Sequence, residues 1–127
     1  MIVNESLIVQ NVDEAAFTRL VAAFYRRVRE DDVIGPLYPQ DDWAGAEERF
    51  AQFLRFRFHG NMTYVENRGH PRLRGRHLPF VIGEAERDRW LELMAAAMAE
   101  TRVHPEALPH LQAFFSQVAD FMRNQPG

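Results

Sequence analysis

The sequence predicts an all-α protein, and two observations favour this class. In four long stretches of the chain, apolar residues recur at the three- and four-residue spacing of an amphipathic helix. No stretch alternates apolar and polar residues convincingly enough to indicate a strand. Because the chain has 127 residues and 46% hydrophobic content, it can bury one sizeable core. We therefore expect a single helical domain over residues 1–127.

The first long helix is predicted near the N-terminus. Residues 1–10 have no clear period, and we expect them to be irregular or to form a short turn. Asn11 and Glu14 have the spacing of a capping box, which marks the start of a helix. The apolar residues that follow predict a helix from about Asp13 to Arg29.

Turn-forming residues separate this helix from a second one. The segment from Glu30 to Gln40 contains one glycine and two prolines, which predict turns. Asp41 or Asp42 is then suited to cap a helix from about Trp43 to Phe58, whose apolar residues again keep helical spacing.

The C-terminal half contains a predicted loop and two further helices. Glycines and prolines interrupt the pattern between His59 and Gly83, so we expect a long loop there, with at most a short helix near His77. Loops of this length inside a compact domain usually carry function. A helix then runs from Glu84 to about Glu100, and Pro105 suits the first position of a last helix.

The composition excludes several kinds of chemistry. Cysteine is absent, so disulfides, thiolate catalysis and iron–sulfur ligation within the chain are excluded. A net charge of −3 argues against a dedicated nucleic-acid-binding protein. The chain has no long apolar run, and its N-terminus has no basic segment ahead of an apolar one. We therefore expect a soluble cytoplasmic protein without a membrane span.

The most informative part of the predicted loop runs from Arg68 to Phe80. It contains four arginines, and His77 lies where this polar stretch meets the apolar Leu78-Pro79-Phe80. A neutral histidine in this setting could be a satisfied core residue, a zinc ligand, a catalytic base or the axial ligand of a haem. The arginines indicate an anion nearby, such as the propionates of haem or the phosphates of a nucleic acid.

Motifs spread over most of the chain match one known family. They are Phe24-Tyr25 in the first helix, Tyr38-Pro39 with the following DDWAGAEER, the stretch RGHPRLRGRH, the adjacent LPF, and ERDRW ending at Trp90. In these motifs the chain resembles the group II truncated haemoglobins of bacteria and plants. The resemblance implies a truncated globin fold, which is a 2-on-2 helical sandwich around haem b (iron protoporphyrin IX).

The resemblance also implies which residues form the site. It makes His77 the protein ligand of the haem iron and leaves His70 outside that role. The implied cofactor contacts are His77, Arg49, Phe50, Phe53, Tyr64, Arg76, Phe80 and Trp90, with the arginines and Tyr64 toward the propionates. The implied pocket for the gaseous ligand is lined by Tyr25, Tyr38, Ala46, Phe50, Phe53 and Trp90. Because Phe50 stands where the family more often has leucine or glutamine, we expect it to narrow the space above the iron.

The side chains of this pocket suit a ligand that carries negative charge. A tyrosine hydroxyl can donate or accept a hydrogen bond, whereas an indole N–H can only donate. We therefore expect tight binding of dioxygen, with carbon monoxide and nitric oxide as further ligands. No catalytic residue is assigned.

Two other functions stay open from the sequence. The protein could be a haem enzyme that oxidises nitric oxide or handles peroxide, in which case an external reductase must return the iron to its ferrous form. It could instead be a haem-free helical module that binds an acidic partner through Arg68, Arg72, Arg74 and Arg76. We expect a monomer or a homodimer, with no nucleic-acid partner.

Overall fold

The computed structural model of the protein describes residues 3–68 and 83–122. Over these ranges its α-helices are α1 (Glu5–Asn11), α2 (Glu14–Arg29), α3 (Trp43–His59), α4 (Thr63–Arg68), α5 (Glu84–Glu100) and α6 (Leu108–Met122). A 3₁₀ helix over Gly35–Leu37 lies between α2 and α3. Since the described ranges contain no strand, the predicted all-α class is confirmed.

Two pairs of long helices form the body of the fold. Helix α2 packs against both α3 and α5, and α5 packs in turn against α6. This is the 2-on-2 helical sandwich that the resemblance implies. Helix α2 lies at its centre, because Phe17, Leu20 and Phe24 on this helix are fully buried. Burying large apolar side chains of this kind supplies most of the free energy that holds such a fold together.

The prediction for the N-terminus is wrong, because residues 5–11 form helix α1. The side chain of Ile8 is fully buried in the core. The carboxylate of Glu5 accepts two hydrogen bonds from the guanidinium of Arg57 on α3, at 2.6 and 2.9 Å. These contacts join distant parts of the chain, so they stabilise a short helix that shows no clear period by itself.

The first predicted helix is confirmed as α2, but its predicted cap is not. The side chain of Asp13 accepts a hydrogen bond from the backbone N–H of Ala16 at 2.8 Å. Asn11 ends helix α1 instead, and its side-chain amide donates to the carbonyl of Leu7 at 2.8 Å. The capping box expected at Asn11 and Glu14 is therefore replaced by an aspartate cap two residues later.

Helix α3 begins at Trp43 as predicted, with Asp42 at its N-cap position. The Asp42 side chain makes no capping hydrogen bond there. The helix ends one residue later than predicted, at His59. Gly60 then adopts a φ of +68°, the left-handed conformation that a glycine takes at the end of a helix without steric cost.

Two boundaries in the C-terminal half differ from prediction. Helix α4 occupies Thr63–Arg68, inside the stretch that was expected to be a loop. Helix α6 begins at Leu108 rather than near Pro105, because the carbonyl of His104 accepts from the N–H groups of Ala107 and Leu108 in a turn before it. Helix α5 is confirmed over Glu84–Glu100.

Part of the predicted loop between residues 59 and 83, including any helix near His77, lies outside the described residues. Within the described part of the chain, no helix is both long enough and apolar enough to cross a membrane.

Candidate functional site

Aromatic side chains from several elements meet on one side of α2. The ring centres of Tyr25 and Tyr38 are 5.5 Å apart, and those of Phe50 and Trp90 are 6.2 Å apart. Tyr25 and Phe50 are also separated by 6.2 Å. We call Tyr25, Tyr38, Phe50 and Trp90 the distal cluster. The structure thus brings together four residues that the family resemblance assigns to the ligand pocket.

The distal cluster is largely shielded from solvent. Tyr25 is 5% exposed and Trp90 is 8% exposed. Tyr38 is only half-buried as a whole residue, but its hydroxyl is buried, since desolvation is the main cause of its raised pKa. Trp43 stacks on that ring with centres 5.7 Å apart. Ala46 is also buried, one helical turn before Phe50 on the same face of α3.

The hydroxyl of Tyr38 is the meeting point of the polar groups in this cluster. Burial raises the pKa of Tyr38 to about 12, while side-chain hydrogen bonding with Trp90 and with Tyr25 lowers it in part. A partner lowers the pKa of a phenol when it donates to the phenol oxygen. Since an indole N–H can only donate, Trp90 acts on the Tyr38 hydroxyl as a donor.

The hydroxyl of Tyr25, beside Tyr38, also has a perturbed pKa. Burial raises the pKa of Tyr25 well above its usual range, and the negative charge of an ionised Tyr38 raises it further. Side-chain hydrogen bonding with Tyr38 also raises the pKa of Tyr25. Tyr25 and Trp90 therefore both lie close enough to the buried hydroxyl of Tyr38 to influence its pKa.

Close packing of the backbone fixes where Tyr38 lies relative to α2. A Cβ atom added at Gly35 would lie 2.8 Å from the carbonyl oxygen of Val28, near the C-terminal end of α2. Only glycine allows this approach of the 3₁₀ helix to α2. The N–H of Tyr38 then donates to the carbonyl of Gly35 at 3.2 Å, so Tyr38 emerges directly from the packed turn.

Phe53 and Tyr64 continue the aromatic wall away from the distal cluster. Their ring centres are 5.7 Å apart, and both residues are buried. Phe53 lies on α3 three residues after Phe50, and Tyr64 lies on α4. Both were expected to contact the cofactor. The structure places them together but leaves the predicted contact of Tyr64 with a propionate as a prediction.

Arg49 lies at the rim of the site. Its Nη1 atom donates to Oδ2 of Asp42 at 3.0 Å, and its side chain is 31% exposed. The positive charge of Arg49 counteracts the rise in the pKa of Tyr25, so the guanidinium is close enough to influence the distal cluster. Its pairing with a propionate stays a prediction.

Several predicted site residues lie outside the described residues. They are His77, Arg76 and Phe80, together with the neighbouring His70. The assignments of His77 as the iron ligand, of Arg76 as a propionate contact and of Phe80 as a cofactor contact therefore stay predictions. The exclusion of His70 as a ligand also stays a prediction.

The sequence reading missed the ion pair between Asp31 and Arg89. Asp31 is the one buried charged residue within residues 3–66 and 83–121, the ranges over which burial is described. Its Oδ1 accepts from Nε of Arg89 at 2.6 Å, although the two residues are 58 positions apart. The available signals were an aspartate at the start of a turn and an arginine directly before Trp90. Neither signal predicts that the two side chains meet.

The described residues fit a haem in the chemistry of their side chains. Phe50, Phe53 and Trp90 offer apolar ring surface of the kind that packs on a planar macrocycle. Tyr25 and Tyr38 add hydroxyls that suit a small polar ligand on one side of it. Arg49 provides a guanidinium at the rim, where a carboxylate that remains near solvent would meet it.

Comparison with known sequences gives one consistent family. A sequence profile of the family described as Bacterial-like globin matches residues 12–124. Group 2 truncated hemoglobin YjbI of Bacillus subtilis (strain 168) is 35% identical to this chain over 114 residues. The matched region covers 90% of this chain and 86% of that protein.

Solved structures agree with the sequence matches. The hemoglobin of the thermophilic phototrophic bacterium Chloroflexus aurantiacus is similar with a TM-score of 0.86 at 43% identity, covering 94% of this chain and 98% of that one. The truncated oxygen-avid haemoglobin of Bacillus subtilis is similar with a TM-score of 0.84 at 33% identity, covering 91% and 97%. Haem is therefore the cofactor, and small gases such as oxygen are the ligands. The chain belongs to the bacterial-like globin family and, within it, to the group II truncated haemoglobins.

Proposed function

We propose that this protein holds dioxygen tightly in the distal cluster and releases it slowly. The observation that carries the proposal is the burial of Tyr25 and Trp90 beside the hydroxyl of Tyr38, with the two tyrosine ring centres 5.5 Å apart. Haem, when bound, supplies the iron that binds the gas and gives it partial negative charge. The indole N–H and the tyrosine hydroxyls then exchange their contacts with one another for hydrogen bonds to the gas, and so stabilise that charge.

The size of the effect follows from the number of donors. A hydrogen bond contributes on the order of 1 kcal/mol net, and about 1.4 kcal/mol changes an equilibrium tenfold. If two donors of the cluster act on the bound dioxygen, they slow its release by roughly ten- to a hundredfold. Such slow release suits redox chemistry or oxygen and nitric oxide handling better than rapid transport.

We assign the remaining residues to holding the cofactor. His77 is the protein ligand of the iron, and Arg49, Tyr64 and Arg76 meet the propionates. Phe50, Phe53, Phe80 and Trp90 pack on the macrocycle, while Ala46 leaves the ligand side free of a bulky residue. Phe50 has rings on several sides, since its centre lies 6.0 Å from that of Phe24 and 6.5 Å from that of Phe115. It narrows the ligand space and slows the entry of gas.

Visible spectroscopy tests the iron site directly. The ferrous protein is expected to show a five-coordinate spectrum and to bind both dioxygen and carbon monoxide. In His77→Ala this ferrous spectrum is expected to be lost, because the chain has no cysteine to replace the imidazole. His70→Ala is the matched control and is expected to keep the normal spectrum. A normal spectrum in His77→Ala together with its loss in His70→Ala would reverse the assignment.

Oxygen release tests the distal part of the proposal. The rate of oxygen dissociation is measured by stopped flow for the unmodified protein, Tyr25→Phe and Tyr38→Phe. Each substitution removes one hydroxyl and keeps the ring, so faster release is expected in both. Unchanged release in both variants would contradict the proposal. If the protein is instead a haem-free module that binds an acidic partner through its arginines, the purified protein gains no Soret band when haem is added.

A second candidate function uses the same buried polar cluster. A pocket that holds oxygen tightly also suits its reaction with nitric oxide to give nitrate, or a peroxidase-like reaction. Sustained turnover to nitrate needs one electron per cycle, so an external reductase is the partner that this function requires. Nitrate formed in a single turnover without reductase, and in many turnovers with an added flavin reductase and NADH, would support it. We place either activity in the cytoplasm, in a single domain over residues 1–127 acting as a monomer or homodimer.

A further inference from the structure

The carboxylate of Asp31 is buried and fully engaged at the start of the turn that carries Tyr38. Its side chain is 3% exposed. Oδ2 accepts from the backbone N–H groups of Val33 and Ile34 at 3.0 and 2.9 Å. Oδ1 accepts from Nε of Arg89 at 2.6 Å. Such a buried charge is tolerated only because it is paired and hydrogen-bonded.

The turn that Asp31 organises leads directly to Tyr38. The backbone carbonyl of Asp31 accepts from the N–H of Gly35 at 3.1 Å. The carbonyl of Gly35 in turn accepts from the N–H of Tyr38 at 3.2 Å. The side chain of Gln40 also donates to the carbonyls of Gly35 and Tyr38, at 2.9 and 2.7 Å. Both the carboxylate and the carbonyl of Asp31 therefore act on the short segment that ends at Tyr38.

The other end of the ion pair lies on the helix that carries Trp90. Arg89 and Trp90 are consecutive residues of α5, within one continuous helix from Glu84 to Glu100. Arg89 also donates from Nη1 to the carboxylate of Glu92, which is 64% exposed, at 2.7 Å. Because a helix backbone is stiff over one residue, holding Arg89 against Asp31 also fixes the position of Trp90 relative to the turn.

The pair therefore joins the two elements whose side chains meet at the hydroxyl of Tyr38. Gly35 fixes the turn against α2, which carries Tyr25, through its close approach to Val28. Asp31 fixes the same turn against α5. Opening the ion pair would leave a buried carboxylate without its charged partner, which makes the open state unfavourable.

We propose that Asp31, through Arg89, is a positioning residue that sets the separation of Tyr38 and Trp90, and with it the polarity felt by the gaseous ligand. The inference rests on the proposed function, because it assumes that these two side chains act on dioxygen. Neither Asp31 nor Arg89 belongs to the distal cluster that acts on the ligand. Each acts through its neighbour in the chain.

The experiment compares Arg89→Ala with Glu92→Ala in the haem-loaded protein. The first substitution removes the charged partner of the buried Asp31, whereas the second removes only the exposed partner of Arg89. Oxygen and carbon monoxide dissociation rates and the C–O stretching frequency of the carbon monoxide complex are measured for both. Arg89→Ala is expected to release oxygen two- to tenfold faster and to change carbon monoxide release less than twofold. Its C–O stretching frequency is expected to rise, as it does in a less polar pocket. Glu92→Ala is expected to match the unmodified protein in all three.

Arg89→Lys guards against a variant that fails to fold. Lysine keeps the positive charge and also favours a helix, but it lacks the Nε–H that donates to Asp31. A smaller change in the same direction is therefore expected. Thermal unfolding is recorded for every variant. Equal changes in both gas dissociation rates, with an unshifted stretch, would indicate a general loss of structure and would overturn the proposal.

A double-mutant cycle shows whether the pair acts through Tyr38. In a Tyr38→Phe background, Arg89→Ala is expected to have little further effect on oxygen release. The same fold-change in both backgrounds would overturn the proposal. Tyr38→Phe alone separates the two claims. If it leaves oxygen release unchanged, the proposed function fails, whereas if it speeds release and Arg89→Ala does not, only this inference fails.

Discussion

The protein contains two aromatic clusters that are built differently. In the first, which we call the phenylalanine cluster, Phe17 and Phe58 stack with ring centres 5.3 Å apart, and Phe58 meets Phe114 edge-on at 4.8 Å. It joins α2, α3 and α6 through apolar ring contacts. In the distal cluster, by contrast, the rings carry two hydroxyls and an indole N–H into the interior.

The difference between the clusters separates the requirements of the fold from those of the site. The phenylalanine cluster stabilises the helices without any buried polar atom in its rings. The distal cluster instead buries polar groups, which costs free energy unless they find partners. It also depends on a tight turn at Gly35 and on the ion pair of Asp31 to hold those partners in place. Polar atoms placed in the interior at such a cost are typical of a functional site.

The largest expected effect is on stability and belongs to the phenylalanine cluster. Phe17 is fully buried, so Phe17→Ala is expected to lower the free energy of unfolding by about 3–5 kcal/mol. The ratio of oxygen to carbon monoxide dissociation rates is expected to stay unchanged. Urea unfolding at fixed haem concentration measures the first quantity. Phe121→Ala is the control, because Phe121 is 63% exposed and its loss should change stability by less than about 0.5 kcal/mol. A changed gas ratio in Phe17→Ala would show that the two clusters are not separable.

Alkaline pH is expected to destabilise the protein through the distal cluster. The pKa of Tyr38 rises from its ordinary 10.0 to about 12 in the folded protein, so the folded state favours the neutral phenol. This contribution is complete below pH 10 and is lost as the pH rises toward 12, because the unfolded chain ionises first. The shift corresponds to at most about 3 kcal/mol, and to less where water reaches the half-buried residue.

The matched variant for this pH effect is Tyr38→Phe. Its free energy of unfolding, followed by urea titration between pH 9 and about 12, is expected to decline less steeply than that of the unmodified protein. Some decline is expected to persist, because burial also raises the pKa of Tyr25. Identical declines in both proteins would mean that the Tyr38 hydroxyl is not the group that titrates.

The sequence predicted the long helices better than it predicted the local details. Helical periodicity identifies α2, α3 and α5 because one face of each packs into the core. It fails for α1 and α4, which have seven and six residues and too few turns to show a period. Helix α1 folds because Ile8 is buried and Glu5 binds Arg57, and both are contacts between distant residues.

The candidate site, like the fold, could be predicted from the sequence only in part. The residue types at Tyr25, Tyr38 and Trp90 are visible in the sequence, and the family resemblance gathers them into one pocket. Their hydrogen-bonding order is not visible, because it depends on which hydroxyl donates once three separate elements have packed. The bridge from Asp31 to Arg89 spans 58 positions, and no local pattern reports it.

Trp90→Phe tests the contribution of one hydrogen-bond donor within the distal cluster. The substitution keeps an aromatic ring but removes a donor that cannot act as an acceptor. The lost interaction, about 0.5–1.5 kcal/mol, should appear as roughly two- to tenfold faster oxygen release. Carbon monoxide release should respond less, because that ligand is less polar when bound. Faster release of both gases by the same factor would make the indole a steric gate, and no change in either rate would make Trp90 a core aromatic like those of the phenylalanine cluster.

The smallest expected effect lies at the rim, where Arg49 connects the distal cluster to solvent. A partly exposed pair between its guanidinium and a propionate contributes roughly 0–1 kcal/mol, so Arg49→Ala should speed haem loss up to about fivefold without abolishing haem binding. Transfer of haem to an acceptor globin in excess measures this rate. Asp42→Ala provides the matched control, since Asp42 accepts the hydrogen bond from Arg49 at 3.0 Å. If Arg49 acts on the propionate, Asp42→Ala leaves haem loss unchanged or slows it, because the guanidinium is then released toward the cofactor. If both variants lose haem faster by the same factor, Arg49 acts by holding the start of α3 through Asp42, and the rim belongs to the scaffold rather than to the site.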